Sequence, residues 1–206
     1  ASYMLLDHYC AMNRLPFTYK VKRAVALTGA MIDPYDNLLD EYKGSRAVSF
    51  GMLLLPHFDP DHGSHAAGYA STNDEQRFMR VFNAYKRQVP EAVFPGYWKA
   101  AKAMHISQLL SLLQRRDIQQ QEHIALTPAD THYISSLKGG INALLYLALA
   151  DPKVGGSFSD IRTDQISSMH DVWGKFRSVG SLIDIAHNPM IHAIFAGGSY
   201  IQLVDD

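Results

Sequence analysis

Apolar residues recur along this chain at steps of three and four rather than two, the pattern of helices that bury one face. Residues 2–14 carry Tyr3, Met4, Leu5, Tyr9 and Met12 in a helical spacing that Pro16 ends. A second helix is predicted over 18–42: the run from Ala24 to Ile32 is apolar on nearly all sides, and Gly44 is placed to stop it. Pro34 falls inside that span, where it costs about 3 kcal/mol and kinks the axis. Either the helix bends there or the aspartates around it lie on a turn.

Residues 47–55 read as a third apolar helix. Thr72-Asn73-Asp74-Glu75 is a capping box that opens another, running to about Gln88 before Pro90 and Pro95 break the pattern. A long helix is predicted over 97–123, with Ala101, His105, Gln108, Leu112 and Arg115 on one side. Such a mixture of apolar and hydrogen-bonding groups could face a ligand cavity, although a core histidine with satisfied nitrogens is the commoner fate of a residue like His105. Arg115-Arg116 suits a solvated face better than a phosphate clamp. Thr127-Pro128-Ala129-Asp130 starts the next helix, with Thr as cap and Pro in the first position, running to about Ala150. Within it, Gly139-Gly140 implies a local break or close backbone approach, since each glycine costs about 1 kcal/mol in a helix. A lysine beside such a break, Lys138, can reach an anionic ligand alongside freed N–H groups. Pro152 and Gly155-Gly156 end the element, a helix over 160–187 follows with Trp173, Phe176, Val179 and Ile183 on its apolar side, and a last one covers 190–206. No useful β-alternation and no repeat occur. The expected fold is all-α, one domain over 1–206 with seven or eight helices.

Composition agrees. Of 206 residues, 47% are hydrophobic and 19% charged, which suits a large interior. Twenty acidic against nineteen basic side chains give no electrostatic reason to expect nucleic acid as a partner. The single cysteine, Cys10, excludes an internal disulfide and reads as a small buried apolar residue. No apolar run reaches the roughly 18 residues of a membrane span, and no signal-peptide pattern opens the chain. A cytoplasmic protein is expected, with flanking residues missing at one or both ends.

The chemistry concentrates at the end of the second helix. In Asp33-Pro34-Tyr35-Asp36-Asn37-Leu38-Leu39-Asp40-Glu41, helical spacing places Asp33, Asp36 and Asp40 on one stripe with Asn37 and Glu41 beside it. Carboxylates so close repel unless a cation or water relieves them. Mg²⁺ suits them, because it is held by one or two carboxylates plus substrate phosphate and water. A second acidic pair, Asp205-Asp206, ends the chain.

These two clusters, with Lys138-Gly139-Gly140 between them, resemble the class I isoprenoid synthase family of trans-prenyltransferases and class I terpene synthases. Asp36-Asn37-Leu38-Leu39-Asp40-Glu41 looks like the first acidic motif with Asn in the second place. Leu137-Lys138-Gly139-Gly140 looks like the break that puts a basic residue near diphosphate. Tyr200-Ile201-Gln202-Leu203-Val204-Asp205-Asp206 resembles the start of the second motif. The resemblance implies a helical bundle around a central apolar cavity, with Mg²⁺ on Asp36, Asn37, Asp40, Asp205 and Asp206. It implies Asp36, Asp40 and Lys138 as catalytic residues, and Tyr35, Gln108, Lys138, Gly139 and Gln202 against a prenyl diphosphate substrate. Tyr35, Tyr146, Phe195 and Tyr200 are aromatic candidates for stabilising a carbocation. A homodimer would also fit the family.

No paired arginines follow the first motif, Lys43 and Arg46 being the nearest substitutes. That favours a terpene synthase, which ionises one prenyl diphosphate and cyclises or quenches the cation, over chain-elongating or head-to-head prenyl transfer. Two readings of other classes stand beside it. One is a non-catalytic partner subunit of the same fold. The other is a metallohydrolase built on Pro56-His57-Phe58-Asp59-Pro60-Asp61-His62-Gly63-Ser64-His65, a stretch that otherwise reads as a polar loop.

Overall fold

The Thr18 hydroxyl accepts the Val21 N–H at 3.4 Å and so opens the longest helix among the described residues. The computed structural model describes residues 2–61 and 72–177, and among these there are nine α-helices and no strand. In order they are α1 (Ser2–Met12), α2 (Tyr19–Glu41), α3 (Ser45–Leu54), α4 (Asn73–Gln88), α5 (Tyr97–Leu112), α6 (Arg116–Glu122), α7 (Pro128–Leu147), α8 (Pro152–Gly156) and α9 (Met169–Arg177). The expected all-α fold is the one observed.

Helix α5 is the axis of the bundle. It is buried on nearly every side, and α3, α7, α8 and α9 pack around it. Cross-helix contacts fix the directions of its neighbours. Thr28 meets Tyr97 and Tyr35 meets His105, so α2 runs alongside α5 in the same sense. Tyr35 packs near Phe78 while Thr28 bonds Tyr85, so α4 runs the opposite way. The Gln114 amide donates to the Thr131 carbonyl and the Ser135 hydroxyl, which places α7 antiparallel to α5.

Several boundaries follow the sequence. Both reciprocal bonds of the Thr72/Glu75 capping box are made, as are those of Thr127 with Asp130. Helix α2 carries Pro34 inside it and continues to Glu41, so the aspartates lie on a helix and not on a turn. Burial of Met31, Tyr35, Leu38 and Leu39 across the proline supplies the offset.

Other expectations are corrected. Helix α7 passes through Gly139 and Gly140 without interruption. Its apolar face, Ile134, Leu137, Ile141, Leu144 and Leu145, is buried, and that packing outweighs two glycine penalties of about 1 kcal/mol each. The span 97–123 is two helices. Between them the Arg115 guanidinium holds the Tyr42 carbonyl at 2.8 Å and pairs with Asp117, whose carboxylate accepts the Gly44 N–H. The helix expected from 160 begins at Met169. The residues before it are drawn to another partner: the Ile161 carbonyl accepts from buried Lys102 at 2.7 Å, and the Thr163 hydroxyl donates to Asp59 at 2.6 Å. The short helix α8 was not expected at all. Its N-terminus is set by Asp151, which accepts the Lys153 N–H.

Two glycines must remain glycines. Gly96 sits at φ +79° with its backbone against Gly155, and a Cβ on Gly155 would fall 2.7 Å from the Gly96 carbonyl carbon. Backbone cannot move aside as a side chain can. Gly155→Ala is expected to cost about 1–3 kcal/mol, read as a lower urea midpoint at unchanged slope.

Candidate functional site

Between α2, α4 and α5 the side chains do not close completely. They leave a small apolar cavity of about 30 Å³, room for no more than a water or two. Its walls are Met31, Ile32 and Tyr35 of α2, Phe78, Phe82 and Tyr85 of α4, Tyr97, Ala101 and Met104 of α5, with Thr28, Phe58 and Leu145 completing it. Phe78, Phe82 and Tyr85 follow the three-and-four spacing of one helix face, the signal by which this wall was available in the sequence and was missed.

A buried histidine fixes one side of the wall. His105 Nδ1 lies 2.5 Å from the Tyr35 hydroxyl and its Nε2 lies 2.8 Å from the Gly51 carbonyl. A carbonyl only accepts, so Nε2 carries the proton and Nδ1 accepts from Tyr35. Burial pushes the imidazole down to about 3, so the ring is neutral. Phe58 stacks on it at 4.5 Å. His105 therefore holds Tyr35 in the cavity wall, as a core histidine with both nitrogens satisfied. Phe58 is itself held, because the Lys86 ammonium donates to the carbonyls of His57 and Asp59 on either side of it.

Polar character begins one residue beyond Tyr35. Asp36 is half-buried, and burial raises its carboxyl above the ordinary carboxylate range. Lys138 of α7 opposes that rise, whereas Asp40 and Asp33 add to it. Lys138 of α7 and Asp40 of α2 thus both act on Asp36, which follows the cavity residue Tyr35 in the chain. Among the described residues no ion pair within 4.0 Å joins Lys138 to either aspartate.

The remaining predicted residues divide. Tyr35 lines the cavity. Asn37 is exposed and faces a separate groove between α2 and α4, with Glu41, Asp74 and Arg77. One residue is a turn of about 100° on a helix, so Asn37 and Asp36 look in different directions. Gln108 is buried on α5, one turn beyond Met104, and its Nε2 has no hydrogen-bond partner. Gly139 is exposed in mid-helix, and with the helix unbroken its N–H is not the freed donor expected of it. Gln202, Asp205, Asp206, Phe195 and Tyr200 lie outside the described residues. Arg46 is committed elsewhere, pairing with fully buried Glu75 and lying over the Tyr42 ring. Of the histidine-rich stretch, His57 is 3% exposed on a short 3-10 turn, while His62 and His65 lie outside the described residues.

Among the described residues no three His, Cys, Asp or Glu side chains are placed to share a metal ion, and no helix is long and apolar enough to cross a membrane. A carboxylate beside another favours a divalent cation, and two suffice where phosphate oxygens complete the shell. Asp36 and Asp40 fit that role. No protein-family model, curated protein or solved structure matches the chain.

Proposed function

We propose that the chain is a Mg²⁺-dependent class I terpene synthase, which ionises a linear prenyl diphosphate and cyclises or quenches the cation. One observation carries this reading: Asp40 on α2 and Lys138 on α7 both act on Asp36, the residue after Tyr35 of an aromatic-walled apolar cavity. A ligand with a highly charged head and a hydrocarbon tail matches that division. Mg²⁺ on Asp36 and Asp40 would supply charge to the departing diphosphate.

The protein's own groups do the rest. Lys138 stabilises negative charge as it develops on the leaving oxygen. Parting of α2 and α4 would widen the small cavity for a prenyl chain, and its mostly apolar lining leaves little to trap the allylic cation. Rings of Phe78, Phe82 and Tyr35 face it, each able to contribute up to about 2 kcal/mol by cation–π attraction. His105 accepts the Tyr35 hydroxyl hydrogen and so fixes the orientation of that ring in the wall. Commitment of Arg46 to Glu75 takes it away from any site for a second diphosphate, which supports lyase over transferase.

The test is product analysis with Mg²⁺ and farnesyl or geranylgeranyl diphosphate, with and without isopentenyl diphosphate. A hydrocarbon or alcohol from the allylic substrate alone is the expected result. Product only when both substrates are present would assign prenyl transfer instead. Absence of diphosphate release under both conditions would favour a non-catalytic subunit.

The same geometry predicts a trade between function and stability. A carboxyl whose folded-state pKa is raised binds its proton more tightly in the fold than in the unfolded chain, so ionising Asp36 costs stability as pH rises through that value. Asp36→Asn is expected to raise the melting temperature of the metal-free protein by about 2 °C near pH 7.5, a gain that disappears by about pH 4.

A further inference from the structure

At one end of the bundle the start of α2, the turn after α4, the end of α7 and helix α1 come together. The Tyr3 hydroxyl donates to the Lys22 carbonyl at 2.6 Å, and the Tyr9 hydroxyl donates at 2.6 Å to Asp151, just beyond α7. Lys20 of α2 shares one groove with Arg87 and Val93 and a second with Leu149 and Pro152. Among the described residues seven large apolar side chains stand exposed, and six of them are here: Tyr3, Met4, Leu5, Met12, Tyr19 and Val93. Met4 is 78% exposed and Tyr19 79%. On α1 the helical turn explains it, because Leu6, Tyr9 and Cys10 make the face buried against the bundle and so turn Met4 and Met12 outward. A helix with large apolar side chains on its outer side as well has a second surface to meet.

The same end is basic. Arg14, Lys20, Lys22 and Arg23 follow one another with no acid between them, and Arg87 lines a groove with Lys20 and Arg23. Against these five cations stand Asp7 and two acids already engaged: Asp151 accepts the Lys153 N–H and the Tyr9 hydroxyl, and Glu91 accepts the Gly96 N–H. With 20 acidic and 19 basic residues in the whole chain, that excess is a matter of placement and not of composition.

We propose that this end of the molecule docks on the surface of an anionic lipid bilayer. Its projecting methionine, leucine and tyrosine side chains enter the headgroup region, where a tyrosine ring is buried while its hydroxyl stays wet. The lysines and arginines around them meet lipid phosphate and carboxylate. In the groove of Lys20, Arg23 and Arg87 the apolar walls are Val93 and Phe94, so one lipid is met by charge and by hydrocarbon together. A second copy of the chain does not match this face: a two-fold contact sets a surface against itself, and Lys20, Lys22 and Arg23 would oppose their own counterparts. Asp36 lies about 24 Å from Lys20 along α2 at 1.5 Å per residue, so docking here leaves the diphosphate end of the molecule clear of the bilayer.

The test is flotation of the full chain with vesicles of phosphatidylcholine alone and of equal parts phosphatidylcholine and phosphatidylserine. Binding to the anionic vesicles is expected to be at least about tenfold tighter, and to weaken as added salt screens the charges. Lys20→Glu with Arg87→Glu should abolish that preference. Arg77→Glu with Arg80→Glu, the same change of charge nearer the start of α4, should leave it. Met4→Ser with Tyr19→Ser should weaken binding to anionic vesicles about tenfold and keep its salt dependence, which separates insertion of side chains from attraction alone. All six positions are exposed, so the melting temperatures should match wild type. Absence of binding to either vesicle, equal binding to both, or a loss that Arg77→Glu with Arg80→Glu reproduces overturns the proposal. So does a dimer in solution that Met4→Ser with Tyr19→Ser dissociates, since that assigns the face to a second copy. None of these outcomes bears on Asp36 and Lys138, which every variant retains.

Discussion

Asp36→Ala is expected to lower Mg²⁺-dependent release of diphosphate from a prenyl diphosphate by about 1,000-fold, roughly 4 kcal/mol of transition-state stabilisation. The magnitude follows from position. Asp36 is half-buried and adjoins the cavity residue Tyr35 in the chain, it feels Lys138 of α7, and no protein hydrogen bond holds its side chain among the described residues. Removing it therefore takes away a cation ligand without dismantling structure, and circular dichroism of the variant should match wild type. Lys138→Ala should cost about 100-fold by the same logic. Asn37 supplies the contrast. Although it occupies the second place of the motif, it opens on the groove with Glu41 and Arg77, so Asn37→Ala should change the rate less than about threefold, within the usual scatter of surface substitutions. A loss at Asn37 comparable to that at Asp36 would mean that α2 presents a different face to the ligand.

His105→Ala should destabilise the fold by about 4 kcal/mol, lowering the melting temperature by about 10 °C. The ring is fully buried, stacks on Phe58 and joins three segments, bonding Tyr35 on α2 and the Gly51 carbonyl on α3. Alanine leaves a void, and it also leaves a buried carbonyl and a phenol without partners. Acid should act on the same group. In the unfolded chain the imidazole takes a proton near pH 6.5, whereas in the fold it resists one until about pH 3. Its contribution is therefore complete above about pH 6.5 and is lost progressively as pH falls toward 3. His105→Ala should flatten that part of the stability profile, observable by urea unfolding across the range.

Local rules made most of the helix boundaries legible. Thr72 and Thr127 cap the helices they were read as capping, and the apolar stripes of α2 and α7 face the interior. What failed depended on distant partners. Nothing near residue 113 in the sequence announces that Arg115 will reach the Tyr42 carbonyl and divide a long helix. Nothing near residue 160 announces that Lys102 and Asp59 will hold that stretch out of an α-helix. The glycines of α7 were misjudged for a related reason: a per-residue propensity is small beside the burial of a whole helix face.

The candidate site was legible in part. Asp36 was chosen from spacing and Lys138 from the glycines beside it, and Lys138 acts on the Asp36 carboxyl although the helix is unbroken. Periodicity assigned Asn37 to the same stripe only loosely, and it looks elsewhere. The hydroxyl cluster of Thr28, Tyr85 and Tyr97 was out of reach, since these residues come from three helices and only their packing reveals that they meet.

The account depends on α2 and α7 presenting charges of opposite sign to one ligand. Calorimetric titration of inorganic diphosphate into the full chain, with and without Mg²⁺, addresses that directly. Binding that needs Mg²⁺, and that is weakened at least about tenfold by Asp36→Asn and by Lys138→Met alike, is the result the account predicts. Absence of binding in Mg²⁺, or binding indifferent to both substitutions, would contradict it.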